Sequence, residues 1–250
     1  MIEKYFVLSG GGCRGFAHLG VVKALKEHSI IPCEIAGTSA GAIAGTFLAD
    51  GFAPDEIKEL FLSQLKLSMF PLNWFKPGLI SMKNIREFLE KNLTHTKFEQ
   101  LQIPFYVTAT NFINGVQTTF KEGELVNAVI AASSIPVLFP PVLINGIPYL
   151  DGGLSNNLPV EPFSDRKKDV VCVYVNPIKP FKSDEGSFEV LDRSIHLSFR
   201  PIVRKSSEGC YLYIEPENLY NYGLFDIHKL SEIFDVGYNS TKSILQNFKS

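Results

Sequence analysis

The sequence predicts an α/β protein with a mostly parallel central sheet and helices on both faces. Two short apolar runs, at residues 5–9 and 33–36, each pass through a glycine-containing turn into a segment of helical period. Repeated strand-turn-helix units of this kind build parallel sheets. A third run, Val170 to Val175, is unbroken in its apolarity, as in strands covered on both faces. With 45% hydrophobic and 20% charged residues, a chain of 250 residues can bury one sizeable core, and a single domain over 1–250 is expected.

Element by element, Tyr5 to Ser9 reads as the first strand, stopped by Gly10, Gly11 and Gly12; the helix that follows carries Ala17, Val21, Ala24 and Leu25 on one face. Cys33 to Ala36 is the second strand and Ala40 to Ala49 a helix of small residues suited to close packing on a sheet. Residues 64–79 hold two prolines and the only tryptophan without a sustained period, and are expected to form a loop or lid. Met69, Phe70, Trp74 and Phe75 would face either the core edge or a lipid interface. Ser81 to Leu93 regains a helical face in Ile85, Phe88, Leu89 and Leu93. Phe105 to Thr110 and Val116 to Phe120 are rich in β-branched and aromatic residues and read as strands. Glu124 to Ser133 reads as a helix. Asn145-Gly146 between short apolar runs signals a hairpin whose second arm, Ile147 to Leu150, ends at Asp151. Tyr211 to Ile214 is an expected edge strand, and Leu230 to Phe248 a core-packing amphipathic helix.

The net charge of −2, from 24 basic and 26 acidic residues mixed along the chain, leaves no footprint for nucleic acid or for bulk attraction to anionic lipid. The Arg166-Lys167-Lys168 cluster runs straight into Asp169 and reads as a solvated loop. No stretch approaches the roughly 20 apolar residues that span a bilayer, so any membrane contact is expected to be peripheral. Cys13, Cys33, Cys172 and Cys210 lack the spacing of a zinc site and read as reduced thiols of a cytoplasmic protein.

Three motifs carry chemistry. Gly37-Thr38-Ser39-Ala40-Gly41, placed between a strand and a helix, fits a nucleophile elbow in which small neighbours permit a strained turn that presents the serine Oγ. A serine nucleophile requires a base and oxyanion donors. Gly10 to Gly15 supplies a glycine loop at a helix N-terminus, where backbone N–H groups can converge on an anion and Arg14 could hold a phosphate. The same loop satisfies G-x-G-x-x-G, but the second strand ends in Ala36-Gly37-Thr38-Ser39 without the acidic residue a dinucleotide site uses. Asp151, followed by Gly152 and Gly153 at a strand end, is the candidate base; near an ordinary pKa of about 3.9 it would be ionised at neutral pH. A Ser-Asp-His order using His196 or His228 is the alternative. His196 would lie at the flank of a helical face made by Phe188, Leu191, Ile195 and Phe199, and His228 just before the final helix. His18, His28 and His95 would lie on or beside helix surfaces.

Together these motifs resemble the patatin-like phospholipase family. The glycine loop, the serine pentapeptide and Asp151-Gly152-Gly153 match its three motifs in order, and residues 131–141 and 156–160 look like its flanking segments, so the resemblance covers about residues 5 to 175. It implies a three-layer fold related to the α/β-hydrolases and a lipid acyl hydrolase using Ser39 as nucleophile and Asp151 as base. Gly11 and Gly12 would donate N–H groups to the oxyanion within the loop from Gly10 to Gly15, Gly37, Gly41, Gly152 and Gly153 would shape the turns, and Arg14 would hold substrate phosphate or position the loop. Such a dyad needs no metal or organic cofactor. A lipid acyltransferase would use the same residues, and a silent lipid-binding protein would keep the fold without turnover.

Overall fold

The computed structural model describes residues 1–64, 82–181 and 186–248. The segment expected to form a lid, Gln64 apart, lies outside the described residues. One mixed sheet organises the chain. Strands β1 (Ile2–Leu8), β2 (Ile30–Thr38), β3 (Phe105–Asn111), β4 (Gln117–Phe120), β5 (Val142–Ile144), β6 (Ile147–Asp151), β7 (Val170–Val173) and β8 (Leu212–Ile214) take the order β5-β6-β3-β2-β1-β7-β8, with β4 also paired to β3. From β3 to β8 neighbours on this path run parallel, whereas β4, β5 and β6 add antiparallel pairs at one edge.

Alternation along the strands splits the core in two. Phe6 and Leu8 of β1 and Val171 and Val173 of β7 join the larger cluster. Helices α1 (Ala17–Glu27), α2 (Ala40–Ala49), α5 (Leu125–Ala132) and α7 (Leu230–Phe248) supply most of its remaining side chains. Val7, Val170 and Cys172 face the other way, onto Leu158, Phe163 and Val203 of α6 (Ser187–Ser207). The result is a three-layer α/β architecture.

Two differences from the sequence reading matter for the site. Helix α3 (Pro54–Gln64) was not expected, although Pro54, Asp55 and Glu56 open it as helix starts prefer. It precedes α4 (Met82–Asn92), and together they bring Ile57, Phe61 and Phe88 to the larger core. The second strand starts at Ile30 rather than Cys33. The fold also gathers what sequence spacing scatters: the Cys172 and Cys210 thiols lie 3.3 Å apart.

Candidate active site

β2 ends at Thr38, α2 begins at Ala40, and Ser39 alone makes the turn at φ 51° and ψ −121°. A non-glycine residue in that region carries strain on the order of 1–3 kcal/mol, held only by what surrounds it. Here the Ser39 N–H donates to the Ala132 carbonyl at 3.1 Å, and the Ser39 carbonyl accepts from Ala42 and Ile43 N–H at 2.9 and 3.1 Å. The Ser133 hydroxyl adds a bond at 3.3 Å. The flanking glycines are steric necessities, since a Cβ on Gly37 would lie 2.5 Å from the Gly41 carbonyl oxygen and one on Gly41 2.2 Å from that of Leu8.

The glycine loop is laid over this turn. A Cβ on Gly10 would sit 3.1 Å from the Ser39 Cβ, and one on Gly15 2.4 Å from the Ala40 Cβ. Gly10 N–H donates to Asn157 at 3.2 Å, Cys13 N–H to Leu224 at 2.8 Å and Arg14 N–H to Gly11 at 3.1 Å. Between them, the N–H groups of Gly11 and Gly12 find no acceptor among the described residues. Asn176 Nδ2 donates to the Gly10 carbonyl at 2.6 Å, and His18 Nε2 lies 2.8 Å from the Ser9 carbonyl. Arg14 is buried, donating through Nε to the Tyr222 carbonyl at 2.8 Å and through Nη1 to Asn176 Oδ1 at 3.3 Å.

Asp151 closes β6 opposite Ala109 of β3, with its N–H on the Ser134 carbonyl at 2.9 Å. Gly153 N–H donates to Asp151 Oδ1 at 2.7 Å. A Cβ on Gly152 would approach the Thr108 carbonyl oxygen to 2.1 Å, so that turn also excludes a side chain. Burial pushes the Asp151 carboxyl up from 3.8 to about 6, while the Ser39 hydroxyl and Gly153 N–H, which stabilise the anion, pull it down. The ordinary pKa expected from sequence is therefore corrected upward. The carboxylate still prevails at pH 7.

None of the interactions that shift Asp151 involves histidine. His196 is buried with Nε2 3.5 Å from Arg14 Nη1, and His228 is exposed. His18, expected at a helix surface, is fully buried beneath the glycine loop, and burial lowers its pKa to about 4. His95 Nδ1 meets Asp50 Oδ1 at 2.6 Å, and His28 Nδ1 meets the Ala24 carbonyl at 2.9 Å. Among the described residues no group of three or more His, Cys, Asp or Glu converges as metal ligands would.

Ser39 opens onto a cavity of about 190 Å³ whose walls are almost entirely apolar. Phe16, Ile43, Phe61, Phe88, Phe139 and Leu230 line it, and Phe61 and Phe88 meet edge to face with ring centroids 4.7 Å apart. Arg14 and Asp151 are absent from its lining. Cys13 lines it, but burial and Asp226 raise that thiol to about 12, which keeps it protonated. Leu224, Phe225 and Ile227, far along the chain from every motif, complete one wall. Asn157, Asn176 and this wall went unassigned in the sequence. Only the Asn156-Asn157 segment carried any signal of them.

A family model described as patatin-like phospholipase matches residues 6–164. The chain belongs to the patatin-like phospholipase family. Curated relatives of this patatin-like chain include lysophospholipase NTE1 of Kluyveromyces lactis, 29% identical over 97% of the chain and 19% of the relative. An uncharacterized NTE family protein of Mycobacterium bovis is 31% identical over 68% of the chain and 48% of its own length. The chain spans about a fifth of the length of the NTE1 relatives it matches. Among solved structures, VipD from Legionella pneumophila superposes with a TM-score of 0.60 at 19% identity, over 98% of this chain and 67% of that one. ExoU of Pseudomonas aeruginosa gives 0.50 at 15% identity, over 98% and 53%. Both share the fold.

Proposed function

We propose that this patatin-like domain hydrolyses carboxylic esters of lysophospholipids or phospholipids through an acyl-Ser39 intermediate, with Asp151 as the only base. The observation that carries the reading is Ser39 itself, held strained at an apolar cavity and interacting with a buried carboxylate. Asp151 takes the Ser39 proton as Oγ attacks the ester carbonyl, then returns it to the departing alcohol. In deacylation it accepts a proton from water and restores the serine. The two unoccupied N–H groups of Gly11 and Gly12 receive the oxyanion in both steps.

Of the two roles open to Arg14, loop positioning fits its burial and its bonds to Tyr222 and Asn176. The cavity accounts for specificity in kind: its apolar lining suits an acyl chain and, among the described residues, offers no cation for a headgroup. The lysophospholipase names of the NTE1 relatives accord with a site that takes one chain at a time.

Mass-spectrometric product analysis over lysophospholipids, phospholipids and neutral glycerides tests the reading. Fatty acid release by the unmodified protein should fall about a thousandfold or more in Ser39→Ala and in Asp151→Asn. Undiminished release by either variant would remove the dyad. Acyl transfer to an added alcohol in preference to water would make the protein an acyltransferase.

A further inference from the structure

The 135–141 loop that leaves α5 holds a conformational anomaly. Val137 has φ 71°, in the region that disfavours a β-branched side chain, and it is 91% exposed. Nothing in the described protein packs on it to offset the strain. Its place is specific: Ile135 and Phe139, two residues to either side, line the Ser39 cavity, and Phe139 N–H donates to the Ile135 carbonyl at 2.9 Å across the turn. The loop thus turns Val137 outward beside the cavity. Pro140 and Pro141, which follow, are also exposed.

The adjoining sheet edge carries further exposed apolar side chains. Val142, Ile144 and Ile147 pack on the core, which leaves Leu143 on the opposite side of β5, 70% exposed. Leu143 pairs with Pro148 of β6, and Phe112 N–H donates to the Pro148 carbonyl at 2.9 Å. Directly opposed residues of antiparallel strands share a face, so Leu143, Pro148 and Phe112 lie side by side. Exposed Ile113 and Val116 extend this surface to the tip of the β3–β4 hairpin. β2 stops at Thr38, level with Thr108, whereas β3 runs three residues further to Asn111. At roughly 3.3 Å per residue, the edge therefore projects about 10 Å past the strand end that carries Ser39.

Charge completes the description. Residues 101–120 and 125–150, which supply all of this surface, contain no charged side chain. A surface that binds anionic groups would carry Lys or Arg, and this one carries neither.

We propose that the 135–141 loop and the projecting end of β3, β5 and β6 form a docking face for a neutral lipid–water interface, anchored by Val137, Leu143, Phe112 and Ile113. The choice of a lipid occupant rests on the ester-hydrolase reading of the Ser39 site. Seated there, the cavity mouth meets the layer from which its acyl chain must come, and the exposed anchors leave water for that layer.

Flotation of the Ser39→Ala protein with phosphatidylcholine vesicles tests the face without hydrolysis, so binding is read independently of the catalytic proposal. Val137→Asp and the pair Ile113→Asp with Leu143→Asp should each lower vesicle binding about tenfold or more, the scale of losing one or two apolar anchors. Salt at about 1 M, where the Debye length is about 3 Å, should leave unmodified binding nearly unchanged. With Ser39 intact, the Ile113→Asp and Leu143→Asp pair should cleave p-nitrophenyl butyrate at the unmodified rate. Val137→Gly should raise thermal stability by relieving the backbone while lowering vesicle binding, a combination a purely structural role does not give. Binding unaltered by the substitutions, binding abolished by salt, or substitutions that change only self-association would overturn the proposal.

Discussion

Burial and hydrogen bonding pull the Asp151 carboxyl in opposite directions, and burial wins, leaving it at about 6. As the proposed base it must be ionised, so kcat/KM should rise with unit slope up to pH about 6 and level off above it; a profile flat from pH 4 to 8 would exclude it. The same shift bears on stability. The folded pKa exceeds the unfolded value, so the folded state gains from protonation, and that gain, full below about 3.8, is lost as pH rises through about 6. Asp151→Asn keeps an acceptor for Gly153 but removes the buried charge. It should therefore be more stable than the parent above pH 7, by on the order of 2–3 kcal/mol, with the gap closing toward pH 4 in thermal melts. At this scale the sequence was legible where small residues crowd a turn, as around Ser39 and Asp151. It was silent on environment: the ordinary pKa expected for Asp151 and the surface site expected for His18 both gave way to burial, which depends on elements distant in the chain.

Ser39, the glycine loop and Asp151 meet because three turns leave no room for side chains. Gly41→Ala would drive a methyl to within 2.2 Å of the Leu8 carbonyl oxygen, backbone that cannot swing aside. Its expected outcome is destabilisation by about 3 kcal/mol or more, read as a lowered urea midpoint, with esterase activity lost alongside stability. The strand-turn-helix units were legible because each puts glycines at a switch from period 2 to period 3.6. Helix α3 went unread although Pro54 and the acids behind it mark its start, because its buried residues are few and its face is mostly solvated. The glycine loop was legible, but which of its N–H groups find no acceptor among the described residues depends on Leu224 and Asn157, partners that local spacing does not reveal.

Much of what encloses the site comes from beyond residue 175. α7 crosses α1 with backbone in contact: a Cβ on Gly20 would lie 2.0 Å from the Phe234 carbonyl oxygen, and one on Gly237 2.3 Å from that of Ala17. The same region supplies β8, the bond from Cys13 N–H to Leu224 and one cavity wall. A chain ended at residue 175 keeps every motif yet should fail to fold, showing neither a cooperative melt nor esterase activity. The general α/β architecture was legible from repeated local patterns, but this closure was not, since its contacts pair residues some 200 apart in the chain, as in Cys13 with Leu224. At the scale of the whole molecule, the fold holds one strained serine between an apolar cavity and a buried carboxylate. The most direct test is acid-quenched turnover of a lysophosphatidylcholine followed by peptide mass spectrometry. The mechanism predicts the acyl group on the peptide carrying Ser39, and none in Ser39→Ala; hydrolysis with the acyl group on another residue would contradict it.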